Sequence, residues 1–345
     1  MDRPPDTRFA IALGVITLIG PLSVHLFLPA MPAVKTAFGI SDSLAALTFS
    51  VTLATMAFMT LIYGNVSDRY GRRPVLLIGL ALFTVGSAAT AFATSVPTLI
   101  GGRLLQAFGA GCGVTLARAI ARDAYGPERL VKAIAYLTMA YTVGPMIAPP
   151  FGGFLIDTFG WRSVFAFALL TGIAILGVAY TVIEETHRPR STGPFVNPLR
   201  SYVALLSQRR FSAFVLQSGF QSGAFFAMAS ASPFLTTEYL GRSASEYGLY
   251  FLFFPVGYCS GNWVSSRLSG RVGIETMVLA GSLLFVATVI GQASFILLSD
   301  LTPLMIFIPG FLISFGQGLA LPNAQAGAIR VAPSLAGTAA GIGAF

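Results

Sequence analysis

Few titratable or polar side chains stand within the apolar stretches of this sequence, and they limit the chemistry open to it. Arg103 falls inside an apolar run at about 97–117, where a charge costs several kcal/mol and ordinarily faces an interior cavity rather than lipid. The alternative is that it snorkels outward, because it comes only a turn or two into the run. His25 lies within the first apolar run; an unperturbed imidazole titrates near about pH 6.5, so His25 is either a proton carrier or a neutral, hydrogen-bonded residue. None of the 13 acidic residues lies mid-run; Asp123, Glu238 and Glu246 come nearest, at run ends. Gln217 and Gln221 stand one helical turn apart and are followed by Phe225 and Phe226, while Tyr250, Phe253 and Phe254 form a second aromatic group. Apolar walls bearing a few polar groups suit a drug-sized lipophilic ligand, although aromatic-rich helices also pack on one another or face lipid. Gln106, Tyr141, Gln217, Gln221, Phe225, Tyr250 and Phe254 are the candidate lining residues.

The segment Gly64-Asn65-Val66-Ser67-Asp68-Arg69-Tyr70-Gly71-Arg72-Arg73-Pro74 concentrates charge in a short link between two apolar runs. Gly71 tolerates the backbone angles of a tight turn, and Asp68 is the carboxylate among three arginines, placed to pair with Arg72. Enzymatic chemistry finds no support. The two histidines, His25 and His187, stand in different settings, and no HExxH, GxSxG or phosphate-cradling loop occurs. Cys112 and Cys259 lie singly in apolar runs without metal-ligand spacing, so neither a metal nor a disulfide framework is expected. A channel is disfavoured by the lack of any charge ring or filter-like repeat.

The elements that position these residues follow from composition. Of 345 residues, 55% are hydrophobic and only 10% charged, against about 25% charged in an average soluble domain. A water-facing surface cannot be built from so few charges, and at about 20 residues per span the apolar stock supplies roughly nine or ten helices. The runs fall at about 9–30, 44–64, 75–94, 97–117, 132–153 and 163–183, then 211–236, 247–266, 275–298 and 301–322, with an eleventh beginning near Ser334. No run alternates with period 2 as a membrane barrel strand does. The first run is too long for a signal-peptide core and carries Pro21 and Pro29, so it reads as an uncleaved helix. The polar stretch 184–210 separates six runs from the rest. The net charge of +8 does not cluster on a soluble face as a nucleic-acid binder's would. With the amino terminus inside, all of the 21 Lys and Arg except Lys35, Arg103, Arg162 and Arg242 fall on the inner side, as the positive-inside rule asks. Ser67, Gly71 and Arg72 recur as Ser266, Gly270 and Arg271 at one offset of 199, a faint internal repeat. Extending that offset from the end of the first half expects about 40 further residues, enough to finish the eleventh helix and add a twelfth, and the longer product is then the expected active form.

The string Asp68-Arg69-Tyr70-Gly71-Arg72-Arg73 resembles the signature loop of the major facilitator superfamily. Arg103-Leu104-Leu105-Gln106-Ala107-Phe108-Gly109 is similar to its second motif, and Gly144-Pro145, Ala148-Pro149 and Gly152-Gly153 resemble the helix-five motif of its antiporters. Pro21-Leu22-Ser23 through Leu28-Pro29-Ala30-Met31-Pro32, with Ala117-Arg118 and Arg122-Asp123, resembles the bicyclomycin/chloramphenicol-resistance (Bcr/CflA) branch of drug:proton antiporters. The resemblance implies an all-α polytopic membrane protein of the major facilitator fold. Its parts are an N-terminal six-helix lobe over 1–183, a cytoplasmic linker over 184–210 and a C-terminal lobe over 211–345. It implies export of small lipophilic compounds by alternating access and proton antiport, in the bacterial inner membrane, as a monomer needing no cofactor. Asp68, Arg72 and Asp123 would form a cytoplasmic charge latch, flanked by Gly64, Arg69, Gly71 and Arg73. The second copy has Arg267 where Asp68 would recur, so any such latch is one-sided. The branch usually carries an aspartate, its proton carrier, where His25 stands here. That substitution keeps an uncoupled or differently coupled metabolite facilitator, and a transporter-fold sensor, in view.

Overall fold

A computed structural model describes residues 6–186, 205–298 and 300–331, apart from the side chains of 126–128, 131 and 297. The expected tail bearing Arg3, most of the linker (187–204) and the eleventh run therefore lie outside the described residues. The chain forms two compact units, Met1–Thr192 with Arg242–Leu249, and Gly193–Gly241 with Tyr250–Phe345.

In the first unit the helices are α1 (Thr7–Thr17), α2 (Ile19–His25), α3 (Met31–Phe38), α4 (Asp42–Tyr70), α5 (Arg72–Ala91), α6 (Val96–Ala110), α7 (Cys112–Phe159) and α8 (Arg162–Val182). The second unit holds α9 (Arg209–Phe234) with a π turn at Leu235–Tyr239, α11 (Phe253–Leu268), α12 (Ile274–Leu298) and α13 (Pro303–Val331); α10 (Ala244–Phe251) lies largely in the first. There is no strand among the described residues. Helices leave no backbone polar group open to lipid, which is the condition for crossing it. Eight helical stretches among the described residues are long and apolar enough to cross a bilayer. Two of the ten runs counted from sequence fall below that measure, 211–236 and 247–266, because Gln217, Gln221 and several serines dilute the first and a break at Leu252 divides the second.

The first run departs most from expectation. It continues to Phe38 and is not one helix but α1, α2, a 3-10 turn at Leu28–Ala30 and α3. Pro29 has no N–H to offer the carbonyl four residues back, that of His25, so regular hydrogen bonding stops there. By contrast, helical backbone runs unbroken through the expected link between the fourth and fifth runs, making α7 48 residues long. Caps are conventional where the chain turns: the Ser41 hydroxyl accepts from the Leu44 N–H at 3.2 Å, and α3 ends at Gly39 in the left-handed region.

The core of the first unit gathers Leu13, Ile16, Leu76, Leu80, Phe83, Leu116 and Ile120; a smaller core in the second gathers Phe211, Phe214, Ala324 and Ala328. Small residues bring backbones together, as helix association in lipid requires. A Cβ on Gly109 would stand 2.4 Å from the Gly79 carbonyl oxygen, and one on Gly257 would stand 2.3 Å from that of Phe311.

Candidate functional site

Three groups of polar residues stand out within the two units. The first surrounds Arg72. The helix α4 runs straight through the charged motif to Tyr70, so the link to α5 is Gly71 alone, at φ 95° and ψ 150°. That region of backbone space belongs to glycine. Arg72 is buried at the start of α5 and has three side-chain partners: it pairs with Asp68, donates from Nε to Asp123 Oδ2 at 2.9 Å, and donates from Nη1 to Ser67 Oγ at 2.5 Å. Asp68, Arg72 and Asp123 are thus brought together, all inside the first unit. The Glu185 carboxylate receives the backbone N–H groups of Arg72 and Arg73 at 3.0 and 3.2 Å, which caps α5 with a negative charge where the helix dipole favours one. Arg73 also donates to the Tyr180 carbonyl at 2.8 Å and covers the Tyr180 ring, while Arg69 lies over Tyr70. Gly64, Asp68, Arg72, Arg118 and Arg122 line an open cavity of about 360 Å³.

The second group is built on the broken first run. His25, the last residue of α2, is buried. Arg103 on α6 is buried too, which removes the snorkelling alternative. Its Nη1 donates to the Ser23 carbonyl at 3.0 Å and to Gln106 Oε1 at 2.5 Å, and Gln106 Nε2 donates to Ser87 Oγ at 2.8 Å. The guanidinium carbon sits 4.4 Å from the Phe27 ring centre and 5.8 Å from that of Phe165, a cation–π arrangement. Arg103 and Gln106 thereby tie α2, α5 and α6 together. Gln106 is consumed by this network, and Tyr141 lies beside Gly20 of α2.

The helix-five glycines form the seam along which α7 meets its neighbours. A Cβ on Gly144 would lie 2.3 Å from Pro21 Cβ, and one on Gly152 would lie 2.8 Å from the Leu26 carbonyl oxygen. Farther along, Gly153 would meet the Ala244 carbonyl at 2.2 Å, and Gly248 would meet that of Pro149 at 2.5 Å. Backbones this close leave room only for hydrogen. Pro145 and Pro149 fall on the same stretch of α7 without interrupting its helical run.

The third group lies in the second unit. Gln217 Nε2 donates to Gln221 Oε1 and to Ser282 Oγ, both at 3.0 Å. Phe225 meets Phe254 edge-on at 5.6 Å, and Tyr250 stacks on Phe307 at 5.3 Å. Gln217, Gln221, Phe225, Tyr250 and Phe254 therefore share one unit, with Gln106 and Tyr141 in the other. The repeated turn recurs in geometry as well as letters: Gly270 has φ 82°. Its charges do not recur. Arg267 lies over the Trp263 ring, and no carboxylate pairs with it among the described residues.

The Major Facilitator Superfamily pattern matches residues 13–345. The chain belongs to that superfamily. It is 25% identical to a bicyclomycin resistance protein homolog of Haemophilus influenzae, over 96% of this chain and 83% of that one. It is 26% identical to multidrug resistance protein D of Escherichia coli, over 98% of this chain and 85% of the relative. Among solved structures, a bacterial homolog of the human lysosomal transporter Spinster superposes with a TM-score of 0.75 at 18% identity, covering 97% of this chain and 79% of that chain. As a major facilitator of Bcr/CflA-like sequence, the protein is a multi-pass membrane transporter handling small substrates, not an enzyme.

Two functional candidates escaped the sequence reading of this transporter. Glu185 read as part of the linker over 184–210, although it caps a helix more than a hundred residues earlier. Asp157, near the end of α7, accepts the N–H groups of Ala244 and Ser245 at 3.2 and 2.8 Å and so holds the first turn of α10. Both act on backbone N–H groups, which any residue type supplies, so no spacing or motif points to them.

Proposed function

We propose that the chain exports small lipophilic compounds by alternating access, coupled to inward proton flow, from a bacterial inner membrane with its amino terminus in the cytoplasm. The observation that carries this reading is the construction of the first run. A helix interrupted beside a buried histidine, with a buried arginine holding a carbonyl just before the interruption, suits a polar site within a membrane. The drug-resistance relatives direct the substrate class towards lipophilic compounds, and the aromatic and glutamine group of the second unit supports it. In this reading His25 carries the proton, and the Asp68–Arg72–Asp123 cluster stabilises one state of the transport cycle.

A second reading is favoured by a specific observation: no carboxylate stands in the middle of a span among the described residues, so transport without proton coupling is the competitor. Proteoliposomes loaded with a lipophilic drug panel, with and without an imposed pH gradient, separate the two. Uphill movement that is driven by the gradient and lost in His25→Ala supports antiport. Equilibration at one rate regardless of pH supports the uncoupled transporter, and no movement of any compound removes the export reading.

A further inference from the structure

The electrostatics of the first unit carry the export reading one step further, to the charge of the substrate. The described carboxylates sit at the ends of spans or outside them: Asp42 opens α4, Asp68 lies in the last turns of the same helix, Asp123 comes two residues before the end of the apolar stretch Val96–Tyr125, Asp157 is near the end of α7, Glu275 is in the first turn of α12, and the others lie outside the eight stretches. Arg103 is different. It is the eighth residue of α6, about 10 Å along the span at 1.5 Å per residue. No carboxylate pairs with it among the described residues, and its Nε and Nη2 have no hydrogen-bond partner there. What surrounds it is one carbonyl, one amide oxygen and two ring faces. These orient the guanidinium without cancelling its charge, and a guanidinium stays protonated in proteins. An uncancelled charge in a region of low dielectric acts over a distance of a helix diameter or more.

We infer that this transporter discriminates by charge sign, taking weakly acidic and neutral lipophilic compounds in preference to lipophilic cations, and that Arg103 is the residue that sets the preference. The inference rests on the export reading for its substrates. A unit charge about 10 Å from another, at an effective dielectric of about 20, changes an affinity roughly tenfold, upward for an anion and downward for a cation. Arg103 need not touch the compound for this to hold; it acts through the field along α2 and α6.

The test uses two dyes of one tricyclic skeleton, anionic fluorescein and cationic rhodamine 123. Binding to the purified chain is followed by fluorescence anisotropy, and transport is followed separately in proteoliposomes. The unaltered protein is expected to favour fluorescein. Arg103→Gln removes the charge and should lower the ratio of fluorescein to rhodamine affinity about a hundredfold, roughly tenfold from each dye, whereas Arg103→Lys should keep it. Because Arg103→Gln risks misfolding, Gln106→Glu supplies a second route. It places a carboxylate on the atom position that already accepts from Arg103 Nη1 at 2.5 Å, cancels the charge in place, and should lower the ratio equally. Equal or cation-preferring binding by the unaltered protein overturns the inference, as does a ratio unmoved by Gln106→Glu. If neither dye is transported while the binding preference behaves as described, the export reading falls and the charge preference stands.

Discussion

Arg72 and its neighbours show how much a residue's worth depends on its burial. The guanidinium is almost fully enclosed, the Asp123 side chain is 15% exposed and the Asp68 side chain 50% exposed. Removing one member of a buried pair strands the other, whereas an exposed partner is rehydrated. Arg72→Gln should therefore cost about 3 kcal/mol and Asp68→Asn less than about 1 kcal/mol, with Asp123→Asn between them. Thermal unfolding of the purified variants in detergent gives the order, and an Asp68→Asn loss as large as that of Arg72→Gln would contradict it. Gly71 makes a parallel case. Alanine there meets a backbone region that costs about 1–3 kcal/mol, and its Cβ would also stand 2.6 Å from the Glu185 carboxylate. Gly270→Ala has the same kind of backbone strain but open space around it, so Gly71→Ala should be the more damaging of the two in the same melting experiment.

At the scale of elements, the α7 glycine seam makes the sharpest claim. Helices in lipid gain little from burying apolar surface against one another and depend on close backbone approach. Gly153→Ala would drive a methyl group into the Ala244 carbonyl, while Gly177→Ala and Gly219→Ala meet nothing within 4 Å. The first should abolish or strongly reduce substrate transport measured in proteoliposomes, and the other two should leave the rate within about twofold, since exposed Gly-to-Ala changes in helices are neutral to mildly stabilising. The seam also shows what a sequence can disclose. Gly144, Gly152 and Gly153 were legible only through their resemblance to a known helix-five motif, and Gly71 because a charged link between two helices needs a reversal. The break after His25 was not legible: Pro21, Pro29 and Pro32 are visible, yet the run reads as a single helix, and only the hydrogen-bond pattern says which of them interrupts it. Arg103 and Gln106 were legible as polar residues in an apolar run, but the assignment of Gln106 to a ligand wall missed that its amide is already spent on Arg103 and Ser87. Glu185 and Asp157 were opaque, because a carboxylate that caps a distant helix leaves no trace in spacing.

For the whole molecule, orientation follows from where the charges lie rather than from any single contact. The bases crowd the links that follow even-numbered runs, and moving them across a bilayer is opposed by the insertion preference for positive charge inside. If that preference sets the topology, Tyr70 and Phe159 lie on opposite sides of the membrane, since they end runs that enter from opposite faces; both are well exposed, at 62% and 68%. On a background with Cys112 and Cys259 replaced by serine, Tyr70→Cys should react with a membrane-impermeant maleimide only in inverted vesicles, and Phe159→Cys only in intact spheroplasts. Cys112→Ser is the substitution to watch in that background, because the thiol lies 2.7 Å from where a Cβ on Gly79 would stand and is fully buried; a less stable parent would show as lower yield of both variants alike. The reverse labelling pattern would put the amino terminus outside. It would then place the Arg72 cluster on the outer face, and the cytoplasmic part proposed for that cluster in the transport cycle would have to be given up.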